Sequence, residues 1–386
     1  MNEHARGGLR LAVLVVLFVA LIAPASTHAR AASLLARFAA APAPDAAAPS
    51  GAMSIGALPV DEELVTFRSR GRDVRARVYR PRGRDDAPGV VVVHGVHRLG
   101  IEEPRLVRFS RAIASSGVAV LTPQIDELAE YRVDPASIAT IGDAASALAD
   151  RIGRTRAGVM GMSFAGGLSL LAAADPEAGA RIAFVVAVGA HDDLSRVLRF
   201  FAEDALDDPD GRRVSVRAHD YGVLVLAHTH AEDFFAAGDV DVARGALRTW
   251  LGDDHVTARE QEARLGEAGR AKLDLLFGGE HRKIAPELLA VVAKHDAEAR
   301  AVSPHGRLGG VHVPVYLLHG AGDAVIPSIE TLWLARDVPS RWLRSALVSQ
   351  AIEHVEIGGH PGASDQWALV HFMAGVLDEA QSEPRR

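Results

Sequence analysis

Residues 156–175 read "RAGVMGMSFAGGLSLLAAAD": an apolar run, a serine set between small residues, then a second apolar run with helical spacing. A strand that turns straight into a helix at Ser163 can hold a reactive hydroxyl on a tight turn. It can equally be an ordinary junction that admits only small side chains. The stretch fits both readings, and what separates them is whether the strand–helix rhythm and suitable partner residues recur elsewhere.

Outward from this stretch the rhythm does recur. "GVVVVHG" (89–95) is a continuous apolar, β-branched run, the mark of a strand buried on both faces. "PRLVRFSRAIASSG" has helical spacing and stops at Gly117, "VAVLTPQ" is a strand, "ASIATIGDAASALADRI" a helix and "RIAFVVAVGA" a strand. Upstream, "ELVTFRSR" and "DVRARVYRP" alternate in polarity around Gly71-Arg72, which predicts an antiparallel hairpin. Strands alternating with helices need crossover connections, and therefore a mostly parallel sheet covered on both sides. After Ala190 the rhythm stops, and "DLSRVLRFFAEDAL", "DVARGALRTWLG" and "APELLAVVAKHDAEARA" are all helical patterns. It resumes at Val313 with "VPVYLLHGAGD", the helix "SIETLWLARDV", the strand-like "SALVSQAIEHVEI" and the helix "DQWALVHFMAGVLDEAQ". The expected fold is α/β: a mostly parallel, doubly wound sheet with a helical insertion between the sixth and seventh strands. The core takes residues 61–190 and 311–386, and the insertion takes 191–310.

With 386 residues, 48% hydrophobic and 24% charged, the composition is that of a globular chain with a large core. A net charge of -7, with no long Lys/Arg run, argues against a nucleic-acid partner. The lack of cysteine removes disulfides, thiolate metal sites, a cysteine nucleophile and a lipid-modified cysteine anchor together. At the N-terminus Arg6 and Arg10 precede the apolar run "LAVLVVLFVALIAP" and an Ala-x-Ala sequence at Ala29–Ala31, the layout of a secretory signal peptide. The run is short of the roughly 20 residues of a bilayer span, but small flanking residues extend it. Cleavage and release, retention as a single membrane anchor, and burial as an N-terminal helix all fit. In the first two the body of the chain lies outside the cytoplasm, periplasmic or secreted. Residues 1–31 are assigned to this signal or anchor, and the Ala/Pro-rich residues 32–60 to a linker.

A serine hydroxyl attacks only when a base takes its proton and a third group orients that base. Parallel strands deliver their C-terminal ends to one edge, where α/β proteins build ligand sites. Ser163 ends one strand, Asp323 follows "VYLLHGAG", and His354 lies in "EHVEI" after the last strand. His360, in "GGHPG", is the alternative base. Asp192 and Asp193 are rival acids, each also suited to cap the helix that follows.

In this order the chain resembles the α/β-hydrolase superfamily over roughly residues 62–381. Gly161-Met162-Ser163-Phe164-Ala165 is similar to that family's G-x-S-x-G nucleophile elbow, with Ala165 in place of the last glycine. "GAGDAVIP" is similar to its acid-bearing turn, and His94-Gly95 to the pair that opens its oxyanion loop. The resemblance implies a serine hydrolase with Ser163, Asp323 and His354 as the triad. Backbone N–H groups of Val96 and Phe164 would form the oxyanion hole, with a helical lid above. No metal or organic cofactor is implied, and the partner is a small-molecule ester or acyl substrate. Carboxylic-ester hydrolysis through an acyl-enzyme leads. Amide hydrolysis, acyl transfer on the same triad and a non-catalytic envelope binding protein are the alternatives. The oligomeric state has no signature in the sequence.

Other candidates have structural readings. His228 and His230, in "AHTHAED", read as two residues on one face of a strand, without a third metal ligand by spacing. "DDPDG" (207–211) lacks the ligand periodicity of a calcium loop and reads as a turn. Glu102, Arg105, Tyr131 and Arg132 lie on loops after strands, where they would brace loops or line the pocket.

Overall fold

The computed structural model describes residues 26–40, 56–353, 356–357 and 362–382. The two polar-alternating segments form β1 (Val60–Ser69) and β2 (Arg72–Pro81), antiparallel across a turn with φ of 47° at Arg70 and 79° at Gly71. Positive φ at both turn residues matches the twist of the flanking strands. Then come β3 (Gly89–Val93), β4 (Ala119–Pro123), β5 (Ala157–Met162), β6 (Ile182–Val188), β7 (Val315–Gly320) and β8 (Leu343–Ser349). These eight strands form one sheet in the order β1-β2-β4-β3-β5-β6-β7-β8. Neighbours from β4 to β8 run parallel, and β2 joins β4 antiparallel.

Every residue of β3, β4, β5, β6 and β7 is buried, as continuous apolar runs require. Alternation along each strand divides them between two cores. Val91, Val93, Val159 and Val185 face one, and Val90, Val92, Met160 and Val186 face the other. Helices α3 (Ala136–Arg151) and α4 (Phe164–Ala174) cover the first face. The second is covered by α1 (residues 26–39), α2 (Pro104–Ser115) and α8 (Ala363–Ser382). The chain leaves β3 for β4 on one side and reaches β5 on the other. The loops after β3 and β5 therefore part at a switch point, the place where open α/β sheets bind ligands.

Between β6 and β7 the chain is mostly helical. It holds α5 (Leu194–Glu203), α6 (Asp220–Thr229), four further helices between Val240 and Lys294, and a small hairpin, Ala205–Asp207 with Arg213–Ser215. "DDPDG" is the turn of that hairpin, and the Asp208 carboxylate accepts from the N–H groups of Asp210 and Arg212.

Two segments depart from expectation. Residues 26–39 are a packed helix, where the sequence suggests the end of a leader and a linker. Ala31, Leu34, Leu35 and Phe38 recur at helical spacing, and Ala31, Leu34 and Phe38 are buried in the second core. The Phe38 ring lies 4.9 Å from Phe109 of α2, and His28 stacks 5.4 Å from Trp367 of α8. Burying a side chain of the size of Leu34 or Phe38 stabilises by about 1.5–3 kcal/mol. A cut at Ala29–Ala31 would sever this helix. Residues 1–25 and 41–55 lie outside the described residues, and among the described residues no helix is long and apolar enough to cross a membrane. The second departure is β8, which ends at Ser349. Asp365, in the first turn of α8, accepts from Ser349 Oγ and Ala351 N–H, both at 2.9 Å, and turns the chain out of the sheet. Ile352–Glu353 pairs instead with Glu356–Ile357.

Candidate active site

Ser163 is the single residue between β5 and α4, with φ 56° and ψ -133°. An L-residue avoids this conformation at a cost of about 1–3 kcal/mol, so the surroundings must impose it. Its N–H donates to Val188 C=O at 2.7 Å, and its C=O accepts from Gly166 N–H at 2.8 Å. The small neighbours are sterically required. A Cβ on Gly161 would stand 2.3 Å from the Ala165 carbonyl oxygen, and one on Gly166 2.7 Å from Ala190 Cβ. Ala165 is fully buried where the resembled pattern has glycine, and the turn accommodates its methyl group. The strand order and this left-handed serine together decide the architecture. The fold is that of the α/β-hydrolases.

Across the switch point, the loop after β3 of this hydrolase fold approaches the serine. A Cβ on Gly95 would lie 3.2 Å from Ser163 Cβ, so only glycine lets the backbone come this close without a shift. The adjacent His94 is buried and makes two bonds. Its Nε2 accepts from Ile125 N–H at 3.1 Å, so Nδ1 carries the hydrogen and donates to Gly95 C=O at 2.7 Å. That carbonyl belongs to the amide whose N–H is Val96's. One neutral imidazole thus sets the direction of the expected oxyanion donor. Burial, partly offset by the bond to Gly95, lowers the His94 pKa to about 4. Tyr221 of α6 holds the next amide, donating its hydroxyl to Val96 C=O at 2.7 Å. The second expected donor, Phe164 N–H, opens α4. There N–H groups have no partner within the helix, and the helix dipole favours negative charge.

Asp323, 3% exposed, sits on the turn after β7. Its Oδ1 accepts from Val325 N–H at 2.9 Å and Ile326 N–H at 3.0 Å, and Oδ2 lies 3.5 Å from His319 Nε2. The N-cap of α7 (Ile329–Asp337) is Ser328, not Asp323. Val325 lines the same cavity as Ser163, and Ala324 C=O accepts from His219 N–H of the insertion at 2.8 Å. Both candidate bases, His354 and His360, lie outside the described residues. The rival acids are engaged elsewhere. Asp193 caps α5, accepting from Arg196 N–H. Asp192 is fully buried between Arg196 and His305, each at 2.9 Å, and desolvation pushes its carboxyl up to about 6. Glu330 of α7, also fully buried, accepts from Arg196 at 2.6 Å, so this network ties α5 to α7.

The cavity at Ser163 holds about 300 Å³. His94–His97, Phe164, His219 and Tyr221 line it together with the apolar Phe38, Phe109 and Met162. Arg105 also lines it and pairs with Glu103 at 2.7 Å. Burial raises the Glu103 carboxyl, but Arg105 and the Leu106 N–H it caps outweigh that, so it sits below the usual range. Glu102 pairs with Arg77, while Tyr131 and Arg132 line a neighbouring cavity of about 170 Å³ that shares Phe164 and Tyr221.

The structure corrects the placement of His228 and His230, which lie on α6 and at its C-terminal end rather than on a strand. The surrounding insertion is helical, and "YGVLVLAHT" buries its apolar side chains as part of a helix. His228 is buried against Tyr131, and desolvation lowers its pKa to about 4. His230 stacks 3.9 Å from His295, whose ring nitrogens meet Asp233 at 2.6 Å and Glu298 at 3.1 Å. Sequence spacing could not show these distant partners. Phe38 and His219 also escaped sequence reading. The helical spacing of Ala31, Leu34, Leu35 and Phe38 was the available signal for Phe38, whereas nothing in the sequence marks His219.

No protein-family pattern and no curated protein matches the chain. Among solved structures it is similar to the Pyrobaculum calidifontis esterase, with a TM-score of 0.48 and 17% identity over 92% of each chain. It is also similar to brefeldin A esterase, a bacterial homologue of human hormone sensitive lipase, with a TM-score of 0.49 and 16% identity over 93% of this chain and 86% of that one. For Pyrococcus horikoshii acylaminoacyl peptidase the TM-score is 0.45, with 11% identity over 85% of this chain and 42% of that one.

Proposed function

We propose that the chain is a serine hydrolase of small carboxylic esters. The observation that carries this reading is the left-handed Ser163 facing the Gly95–Val96 loop at one cavity. In this reading Ser163 Oγ attacks the ester carbonyl, and a histidine after β8 takes its proton. His354 is the first candidate for that base and His360 the second. The same histidine returns the proton to the departing alcohol, and Asp323 orients it. Val96 and Phe164 N–H groups hold the oxyanion, and water then releases the acid from the acyl-enzyme. The reaction as written needs no metal or organic cofactor. A cavity of about 300 Å³ suits a small molecule rather than a polymer. His219 and Tyr221, which reach that cavity from the insertion, support a lid role for residues 191–310. Arg6, Arg10 and the apolar run after them support export from the cytoplasm, with release or single-span anchoring as the two forms. The packing of α1 favours a cleavage before residue 26 over one at Ala29–Ala31.

The test is labelling with a fluorophosphonate probe beside turnover of p-nitrophenyl esters. The expected result is labelling and turnover in wild type, and neither in Ser163→Ala. Equal labelling of Ser163→Ala would sink the reading. Loss of turnover in His360→Ala with full activity in His354→Ala would move the base to His360.

A further inference from the structure

Phe38, Phe109 and Met162 line two cavities at once. One is the cavity at Ser163. The other, about 40 Å³, lies between α1, the sheet and α8, and all ten residues that line it are apolar, among them Leu35, Val186, Leu318 and Leu369. Met162 immediately precedes Ser163, and the three shared lining residues make the annex a direct neighbour of the nucleophile's cavity. The polar groups of the larger cavity, Glu103, Arg105 and His219, lie away from the annex lining.

We infer that α1 roofs an acyl-chain site: the aliphatic chain of the ester passes Phe38 and Phe109 and seats in the apolar annex. The inference rests on the esterase reading and names its substrate class, esters of short unbranched aliphatic acids. The physical case is direct. An annex with no polar lining offers water no hydrogen-bond partner, so alkyl groups are its natural occupants. Its volume, at roughly 10–15 Å³ per water-sized group, takes about three methylenes. Phe38, which borders both spaces, is then a specificity residue supplied by a segment before the sheet begins.

The experiment compares p-nitrophenyl esters from acetate to decanoate on wild type, Leu35→Trp and Phe38→Ala. Wild type should gain about fourfold in kcat/KM per methylene until the annex is full, then fall. Leu35→Trp, a change at a half-buried position that narrows the annex, should cancel that gain, so that the longer esters fall back to the kcat/KM of acetate. Phe38→Ala should move the optimum to longer chains. A wild-type profile that does not rise with chain length, or one that Leu35→Trp leaves unaltered, would overturn the inference. Calorimetric binding of hexanoate and acetate to Ser163→Ala, with and without Leu35→Trp, separates the two proposals. Leu35-dependent preference for hexanoate, found while the wild-type protein hydrolyses no ester, would sink the esterase reading and keep the acyl site. Equal binding of the two acids would sink the acyl site alone.

Discussion

Replacing His94 by phenylalanine keeps the ring and removes both of its hydrogen bonds. Ile125 N–H loses its acceptor and Gly95 C=O its donor, in a place where His94 is 2% exposed. Each orphaned buried group costs about 1–3 kcal/mol, so His94→Phe should lose about 2–6 kcal/mol of stability. The effect on catalysis is separate. Loss of one oxyanion donor outright costs about 10²–10³ in kcat. His94 only directs the Val96 N–H, so a fall of about 10–100-fold in kcat is expected, with KM nearly unchanged. His94→Asn can still donate to Gly95 and should recover part of that loss. Urea unfolding gives the stability, and p-nitrophenyl butyrate kinetics give the kcat and KM split. The same residue predicts a pH effect. Burial lowers its pKa from 6.5 to about 4, so unfolding takes up a proton between those values. The stability due to neutral His94 is complete above pH 6.5 and disappears as pH falls through 4, a change of about 3 kcal/mol. The stability gap between wild type and His94→Asn should shrink by about that much between pH 7.5 and 4. His228 titrates in both proteins and cancels. A folded His94→Phe protein with kcat within twofold of wild type would rule out any control of the Val96 N–H by His94.

Two further outcomes are expected. Ser163→Gly relieves the left-handed backbone at the elbow, a strain of about 1–3 kcal/mol, against about 0.5–1 kcal/mol of added chain entropy in the unfolded state. It should abolish labelling yet raise stability by about 1 kcal/mol, and a lowered urea midpoint would contradict the elbow geometry. Deleting residues 1–25 should leave the unfolding midpoint and ester turnover of the remaining chain intact. Deleting residues 1–40 removes Leu34 and Phe38 from the core and should cost about 3–6 kcal/mol, with loss of chain-length preference. Equal midpoints for the two deletions would show that α1 contributes nothing.

The order of strands and helices was legible because it rests on short-range patterns. "GVVVV" and "IAFVVAV" are uniformly apolar, so each has to be a strand buried on both faces. The glycines and serine of "GMSFAGG" mark a turn too crowded for larger side chains, and that crowding is local as well. What failed was reading identity without context. His228 and His230 alternate as on a strand, but the helices packed around them hold that segment in a helix. "SALVSQAIEHVEI" (345–357) reads as one strand-like segment, yet Asp365, brought in by the first turn of α8, ends the strand at Ser349. Residues 26–39 read as the end of a leader and the start of an Ala/Pro-rich linker, while their apolar spacing fits a helix that only the second core can bury.

Short-range patterns carry the α/β alternation, the elbow at Ser163 and the chain order of Ser163, Asp323 and the histidines after β8. Periodicity and steric demand act over a few residues and need no partner to be read. Folding alone brings the His94 imidazole to the Gly95–Val96 amide, sets Tyr221 of the insertion against the same loop, and makes Phe38 a wall of the serine's cavity. Each of those contacts joins segments far apart in the chain, and their geometry exists only once both cores have closed around the sheet.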